Sequence, residues 1–269
     1  MGKIICAGLG PGAPDLISVR ADRLIRSSRH VAYFRKKGKL GNARRIVKDM
    51  LPANCIEYAM EYPFTTELPF DSPEYIARLA AFYDDWTERL ADLAGSTDVV
   101  VLCEGDPLFY GSFMHLYIRL QGRVEVEIIP GVPGMVGCWN VTDLPMTWGD
   151  DVLAVLMGTL AEDDLVHHMY GADALVIMKT GRNLPKVRRA LERAGRLEDA
   201  CWSSAGQCQA NGSHASPRLK PRTAPISQLF WLPAMGDGQR PRNDRLALHC
   251  RAWSGFRCAD DARGLGGPG

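Results

Sequence analysis

The stretch Asp98–Cys103, DVVVLC, constrains this chain more than any other. A strand with one face in water alternates apolar and polar residues, and this one does not alternate. It reads as a strand buried on both faces, the condition of a parallel sheet covered by helices on either side. Its neighbours agree: Lys3–Gly8, His30–Phe34 and Glu125–Ile129 are further strand-like runs. Between them lie stretches with a helical period. Asp15–Ser27 carries Leu16, Val19, Leu24 and Ile25 on one face; the short basic Asn42–Met50, the long amphipathic Tyr75–Ala94 and Ser112–Gln121 follow. Strands alternating with helices predict an α/β fold.

Past Asp143–Trp148 the pattern restarts, with strands at Val152–Met157 and Ala174–Met178 and helices at Glu162–Tyr170 and Leu184–Ala194. A chain of 269 residues is long enough for two ordinary α/β domains. We therefore expect an N-terminal α/β domain over 1–143 and the start of a second over 144–200. The tail, 201–269, is atypical. It is rich in Ser, Pro, Arg and Gly, has no period, is apolar only at Leu229–Leu232, and is expected to be poorly ordered. A shift of reading frame at Cys201 accounts for it: the shifted codons leading to Trp231 can spell the apolar run F-A-I-V-L-V, where the domain needs a strand. Gene sequencing tests this, and codons unable to spell that run end the idea. Read as it stands, the tail is expected to leave the second domain without edge strands and with apolar surface exposed.

Acids nearly balance bases, at a formal net charge of +1, so no global field points to nucleic acid or a membrane surface. No apolar run is long enough to cross a bilayer, and Asp15 interrupts any signal-peptide pattern, so a cytoplasmic location is expected. The eight cysteines are scattered and none forms a C-x-x-C pair, which argues against structural zinc and for a reducing compartment. Cys6 and Cys103, in strand-like runs, read as small hydrophobes. His30, His115, His167 and His168 are not grouped with acids or thiols, so no metal site is expected; His167 and His168 read as helix surface.

Three glycine-bearing loops follow strands. The first, GLGPG, resembles a dinucleotide fingerprint only loosely. That motif needs G-x-G-x-x-G opening a helix and an acid about 20 residues on. Here Pro11 and Pro14 interrupt the loop, Gly12 comes one position early, and Arg35, Lys36 and Lys37 stand where the acid belongs. A nicotinamide oxidoreductase is disfavoured, and a tight strand-to-helix turn accounts for the glycines. The second loop, CEGDPLFYGS, lies at the carboxyl edge of the sheet, where open α/β folds bind ligands. Asp106 before Pro107 is held extended, and either caps the next helix or holds a ligand hydroxyl or ammonium group. The third, IIPGVPGMVG, repeats the device with small residues that let a ligand lie against main chain.

Taken jointly, G-x-G-P-G-x-P-D-L-I-S, E-G-D-P-x-x-Y-G-S and I-P-G-V-x-G resemble the tetrapyrrole methylases over roughly residues 1–200. The resemblance implies two α/β domains with a cofactor cleft between them, S-adenosylmethionine as methyl donor, no metal, a small-molecule tetrapyrrole as substrate and a homodimer. VAYFRKKGK, YAMEYPFTTE and EGDPLFYGSFMHLYIRL are most like the members that methylate precorrin-2 at C-20 on the way to corrin rings. By the same resemblance Pro11, Glu104, Gly105 and Asp106 contact the donor. Pro133 and Gly134 join them, at positions where many relatives have a small hydroxyl residue and alanine. Thr180, in MKTG, closes the adenine side from the second domain. On the substrate side stand Gly10, Arg35, Lys36, Lys37, Glu61, Tyr62 and Tyr110, with Lys39, Arg44 and Arg45 adding positive charge for the ring carboxylates; a solvated basic loop is the plainer reading of that charge.

The implied chemistry asks little of side chains. A sulfonium methyl is already activated, a reduced meso carbon is an enamine-like nucleophile, and alignment supplies most of the acceleration. Collecting a ring proton calls for a base, and no residue identifies itself as that base from sequence. A cobalt-bearing ring, another ring position and a cofactor-binding remnant without turnover stand as alternatives.

Overall fold

The computed structural model describes residues 2–63, 72–140, 145–197, 200–204 and 228–232. Two compact units divide between Asp143 and Leu144. The first contains β1 (Ile4–Gly8), α1 (Val19–Ser27), β2 (His30–Arg35), α2 (Asn42–Ile46), β3 (Ile56–Glu61), α3 (Pro73–Ala94), β4 (Val99–Cys103), α4 (Phe113–Leu120), β5 (Val126–Ile129) and α5 (Gly134–Asn140). Its five strands are all parallel, in the order β3-β2-β4-β1-β5.

The run that does not alternate behaves as its composition demands. Val100 and Leu102 of β4, with Ile5 and Ala7 of β1, pack against Ala21 and Ile25 of α1 and Ala43 of α2. Val99 and Val101, with Ile4 and Cys6, face the other way, toward Tyr83 and Leu90 of α3 and Phe113 and Leu116 of α4. Each of the Val, Leu, Ile and Phe side chains among them contributes about 1.5–3 kcal/mol on burial. Cys6 and Cys103 lie with their sulfurs 3.4 Å apart in the core, and burial pushes the Cys6 thiol well above its ordinary range. Both fill space as hydrophobes.

Local structure departs from the sequence expectation at four places. α1 begins at Val19 rather than Asp15, because Pro14–Leu16 form a 3-10 turn and Ser18 caps the helix, its Oγ accepting from Ala21 N–H at 3.2 Å. α2 stops at Ile46, short of Met50. β3 was not expected, since Glu57 and Glu61 interrupt its apolar pattern. Partners neutralise both: the Arg44 fork holds Glu57 at 2.6 and 2.9 Å, keeping its carboxyl below the usual range, and Arg35 holds Glu61 at 3.0 Å. Finally, the small residues after Pro133 wind into α5 instead of remaining a loop.

The second unit contains β6 (Leu153–Met157), α6 (Glu162–Tyr170), β7 (Ala174–Met178), α7 (Leu184–Arg193), β8 (Cys201–Ser204) and β9 (Gln228–Leu232). β6 and β7 are parallel, β9 joins β7 antiparallel, and the order is β6-β7-β9-β8. This corrects the expectation that the tail leaves the sheet without edge strands. The apolar run noted at Leu229–Leu232 is the strand, with Trp231 opposite Val176. Apart from β8 and β9 the tail lies outside the described residues. Leu165, Val166 and Met169 of α6 and Val187, Ala190 and Leu191 of α7 close the core over Leu175 and Ile177. No helix among the described residues is long and apolar enough to cross a membrane.

Candidate functional site

The strand order of the first sheet fixes where a ligand can enter. β1 continues through α1 to β2, past β4 on one side; β4 continues through α4 to β5, past β1 on the other. α1 lies on one face of the sheet and α4 on the opposite face. A crevice therefore opens beyond the carboxyl ends of β1 and β4.

Three loops converge there, main chain on main chain. Leu9 N–H donates to Cys103 O at 2.9 Å and Gly105 N–H to Gly10 O at 2.8 Å. A Cβ on Gly8 would stand 2.5 Å from Gly131 N, and one on Gly131 only 2.2 Å from Gly105 O. Gly10 and Gly105 hold φ of +72° and +65°, which glycine adopts without penalty. Pro11 rests on α5, where a Cβ on Gly137 would fall 2.3 Å from Pro11 Cβ. Pro133 and Gly134 abut Gly105, and a Cβ on Gly134 would meet nothing within 4 Å. The structure thus gathers Gly10, Pro11, Gly105, Asp106, Pro133 and Gly134, with open space beside Gly134 for a ligand laid against main chain.

Asp106 locks this arrangement. Its Oδ1 accepts from Leu108 N–H at 2.9 Å and its Oδ2 from Gly131 N–H at 3.1 Å, tying the β4 loop to the β5 loop rather than capping α4. Asp106→Ala leaves two main-chain donors without their acceptor, and thermal unfolding is expected to report a loss of about 1–3 kcal/mol.

Glu104 faces a different space. A pocket of about 420 Å³ opens between the first loop, at Gly10, Pro11, Gly12 and Pro14, and α2, at Asn42 and Arg45. Glu104 projects into it, exposed on that side. Its Oε2 accepts from Asn42 Nδ2 at 3.3 Å, and Arg45 bonds to the same Asn42 side chain. Crowding by protein raises the Glu104 pKa above the ordinary carboxylate value, opposed by Asn42, Arg45 and the Ala43 N–H.

The residues expected on the substrate side fall into three groups. Arg35 and Glu61 neutralise each other across β2 and β3. Tyr62 stacks on Phe34 at 5.5 Å and bonds through its hydroxyl to Ser112 Oγ; burial raises its pKa well above the usual value, so it stays a neutral phenol. Lys36, Lys37 and Tyr110 remain at the surface of loops: the lysines have no carboxylate partner among the described residues, and Tyr110 sits edge-on to Phe109 at 4.9 Å. Tyr110 has a φ of +54°, a conformation costing a non-glycine residue about 1–2 kcal/mol, of the kind concentrated at functional sites.

The second unit repeats both features. Thr180 is buried past the end of β7, just after Lys179, which also has a φ of +54°. Gly158 N–H donates to Met178 O at 2.7 Å, and a Cβ there would crowd Lys179 O at 3.1 Å. Sequence reasoning did not single out Asn42, Gly8 or Gly131. Asn42 carries no motif, and the glycines become telling only when three chains meet. Among the described residues no group of three or more His, Cys, Asp or Glu could hold a metal ion.

Comparison with known proteins places the chain in a family. A family model described as Tetrapyrrole (Corrin/Porphyrin) Methylases matches residues 3–209. A precorrin-2 C(20)-methyltransferase of Sinorhizobium sp. is 42% identical over 238 residues, 88% of this chain and 97% of that protein. The cobalamin biosynthesis protein CobIJ of Mycobacterium tuberculosis is 40% identical over 211 residues, of which this chain spans only 42% of that longer protein. A cobalt-precorrin-2 C(20)-methyltransferase of Salmonella typhimurium is 27% identical over 206 residues, 76% of this chain and 83% of that one. Among solved structures, the methyltransferase CobJ superposes with a TM-score of 0.60 at 16% identity, covering 87% of this chain and 95% of that one. The uroporphyrin-III C-methyltransferase of Thermus thermophilus, crystallised with S-adenosyl homocysteine, gives 0.57 at 19%, covering 86% and 97%.

Proposed function

Because this chain belongs to the tetrapyrrole methylases, we propose that it transfers a methyl group from S-adenosylmethionine to C-20 of precorrin-2, giving precorrin-3A in corrin-ring synthesis. The observation that carries this reading is the 42% identity to the Sinorhizobium enzyme over nearly its whole length. The lower identity to the cobalt-substrate enzyme, 27%, favours the metal-free ring.

The cradle fits a flat, extended ligand. Main chain is presented at Gly105 and beside Gly134; a side chain at Gly134 would occupy the open space there, and one at Gly105 would abut Gly134 N at 3.4 Å. S-adenosylmethionine supplies an activated methyl group on a sulfonium when bound. This chain's part is to bind, orient and keep water out, which in such reactions supplies most of the acceleration. The proposed donor contacts are Pro11, Gly105, Asp106, Pro133 and Gly134, with Thr180 of the second unit; at Glu104 the proposed contact is through main chain, its carboxylate facing the pocket. The proposed acceptor contacts are Gly10, Arg35, Lys36, Lys37, Glu61, Tyr62 and Tyr110. Lys36 and Lys37, unpaired with acid among the described residues, suit the carboxylates that rim such a ring. We further propose a homodimer acting in the cytoplasm, and a native reading frame that differs from this tail beyond Ala200.

Incubation of the purified full chain with methyl-labelled S-adenosylmethionine and precorrin-2 is expected to place the label on C-20, located by NMR of the product. Label at another carbon, or transfer only to the cobalt-bearing ring, overturns the assignment. Binding of S-adenosylhomocysteine without any transfer marks a cofactor-binding remnant instead.

A further inference from the structure

We propose that Glu104 takes up the proton that leaves C-20 of the macrocycle; this rests on the reading above. Methylation of a meso carbon cannot end with the methyl transfer. The bond from C-20 to the methyl carbon forms as the sulfur–methyl bond breaks, its electron pair staying on sulfur. C-20 then bears both hydrogen and methyl, and ring conjugation is interrupted there. Conjugation returns when the C-20–H bond breaks, its pair passing back into the ring and the proton to a base.

The structure narrows the candidates by what each acid already holds. Among the described residues three acids line the pocket: Asp22, Asp49 and Glu104. Asp22 is paired with Arg26 at 2.9 Å, and Asp49 lies 3.7 Å from the ammonium of Lys48. Among the described residues Glu104 receives only neutral donors, the Asn42 amide and the Ala43 N–H. Elsewhere at this edge of the sheet Glu61 is bound by Arg35, and Asp106 spends both oxygens on main-chain N–H groups. The described histidines of the first unit are engaged too: His30 bonds the Tyr58 hydroxyl at 2.9 Å and His115 stacks on Tyr83 at 4.6 Å.

Position agrees with chemistry. Glu104 directly precedes Gly105, so its carboxylate stands beside the main-chain cradle yet faces the pocket. Protein crowding makes it a stronger base than a solvated carboxylate, while the nearby Arg45 guanidinium favours the ionised form that can accept a proton. Its exposed side lets the proton pass on to water between turnovers. On this account Glu104 serves the acceptor ring, and the donor is held by the main chain next to it.

The test is Glu104→Gln in the full chain, compared with the unmodified chain and with Glu104→Asp. We expect Glu104→Gln to lower kcat by about 10²–10⁴-fold, with Glu104→Asp retaining part of the rate. S-adenosylhomocysteine affinity, read by calorimetry, should be unchanged, which also verifies the fold. In the unmodified chain kcat/KM should fall as acid protonates Glu104, with a midpoint above the ordinary carboxylate value, and Glu104→Gln should lack that limb. An undiminished kcat in Glu104→Gln overturns the proposal, as does a loss of S-adenosylhomocysteine affinity by more than about tenfold, which would make the Glu104 carboxylate, and not only its main chain, a donor contact. Failure of the unmodified chain to methylate C-20 overturns the parent reading, and this one with it.

Discussion

Gly131→Ala is expected to abolish detectable binding of S-adenosylhomocysteine and to destabilise the first unit by about 3 kcal/mol. The added methyl would lie 2.2 Å from Gly105 O and 2.8 Å from the Gly8 carbonyl carbon, well inside contact distance. Neither neighbour can swing aside as a side chain can. Both are backbone, one at the end of β1 and one in the β4 loop, so relief requires the loops to part. Parting them stretches the Asp106–Gly131 bond and the Gly105–Gly10 bond together. Calorimetry with S-adenosylhomocysteine and a thermal melt check the two halves of this expectation. Gly12→Ala is the control for glycine loss in the same site. Its φ of +129° adds strain, but a Cβ there meets nothing within 4 Å, so the three loops should keep their contacts and their ligand.

The largest loss of stability is expected from Phe113→Ala, at about 3–5 kcal/mol. Phe113 is fully buried, the first residue of α4, and packs in the cluster that includes Tyr83, Leu90, Leu116 and Leu120. Truncation opens a cavity under the very point where the β4 loop enters its helix. The adjoining Ser112 holds Tyr62, so the same change loosens the aromatic stack of Tyr62 on Phe34. Urea unfolding should show the lower midpoint. Ile118→Ala on the exposed face of the same helix, 67% open to solvent, should fall within about 0.5 kcal/mol of the parent.

Several features were legible from sequence for identifiable reasons. DVVVLC could be buried on both faces only within a parallel, helix-covered sheet, and β4 is flanked by β1 and β2 in that setting. β3 was hidden because Glu57 and Glu61 break its pattern, and their compensation comes from Arg44 and Arg35, on other elements. α5 was hidden because Gly134 and Gly137 look like loop residues until Pro11 is seen to need the space beside Gly137. In the tail, Leu229–Leu232 was noted as apolar but not read as a strand. Its partner, β7, lies some 50 residues earlier, as the pairing of Trp231 with Val176 records.

By itself the sequence determined the class of fold and the family, because burial period and glycine-loop chemistry are local properties that short stretches carry intact. Tertiary structure alone decided which groups are free to act. Arg35, Glu61, Tyr62 and Asp106 read as ligand contacts in sequence, and each also spends polar capacity on other parts of the protein. Glu104, met among the described residues only by neutral donors, keeps a carboxylate facing open pocket. The reason is that a charge or hydrogen-bonding group is defined by its partners, and those partners come from strands and helices far along the chain.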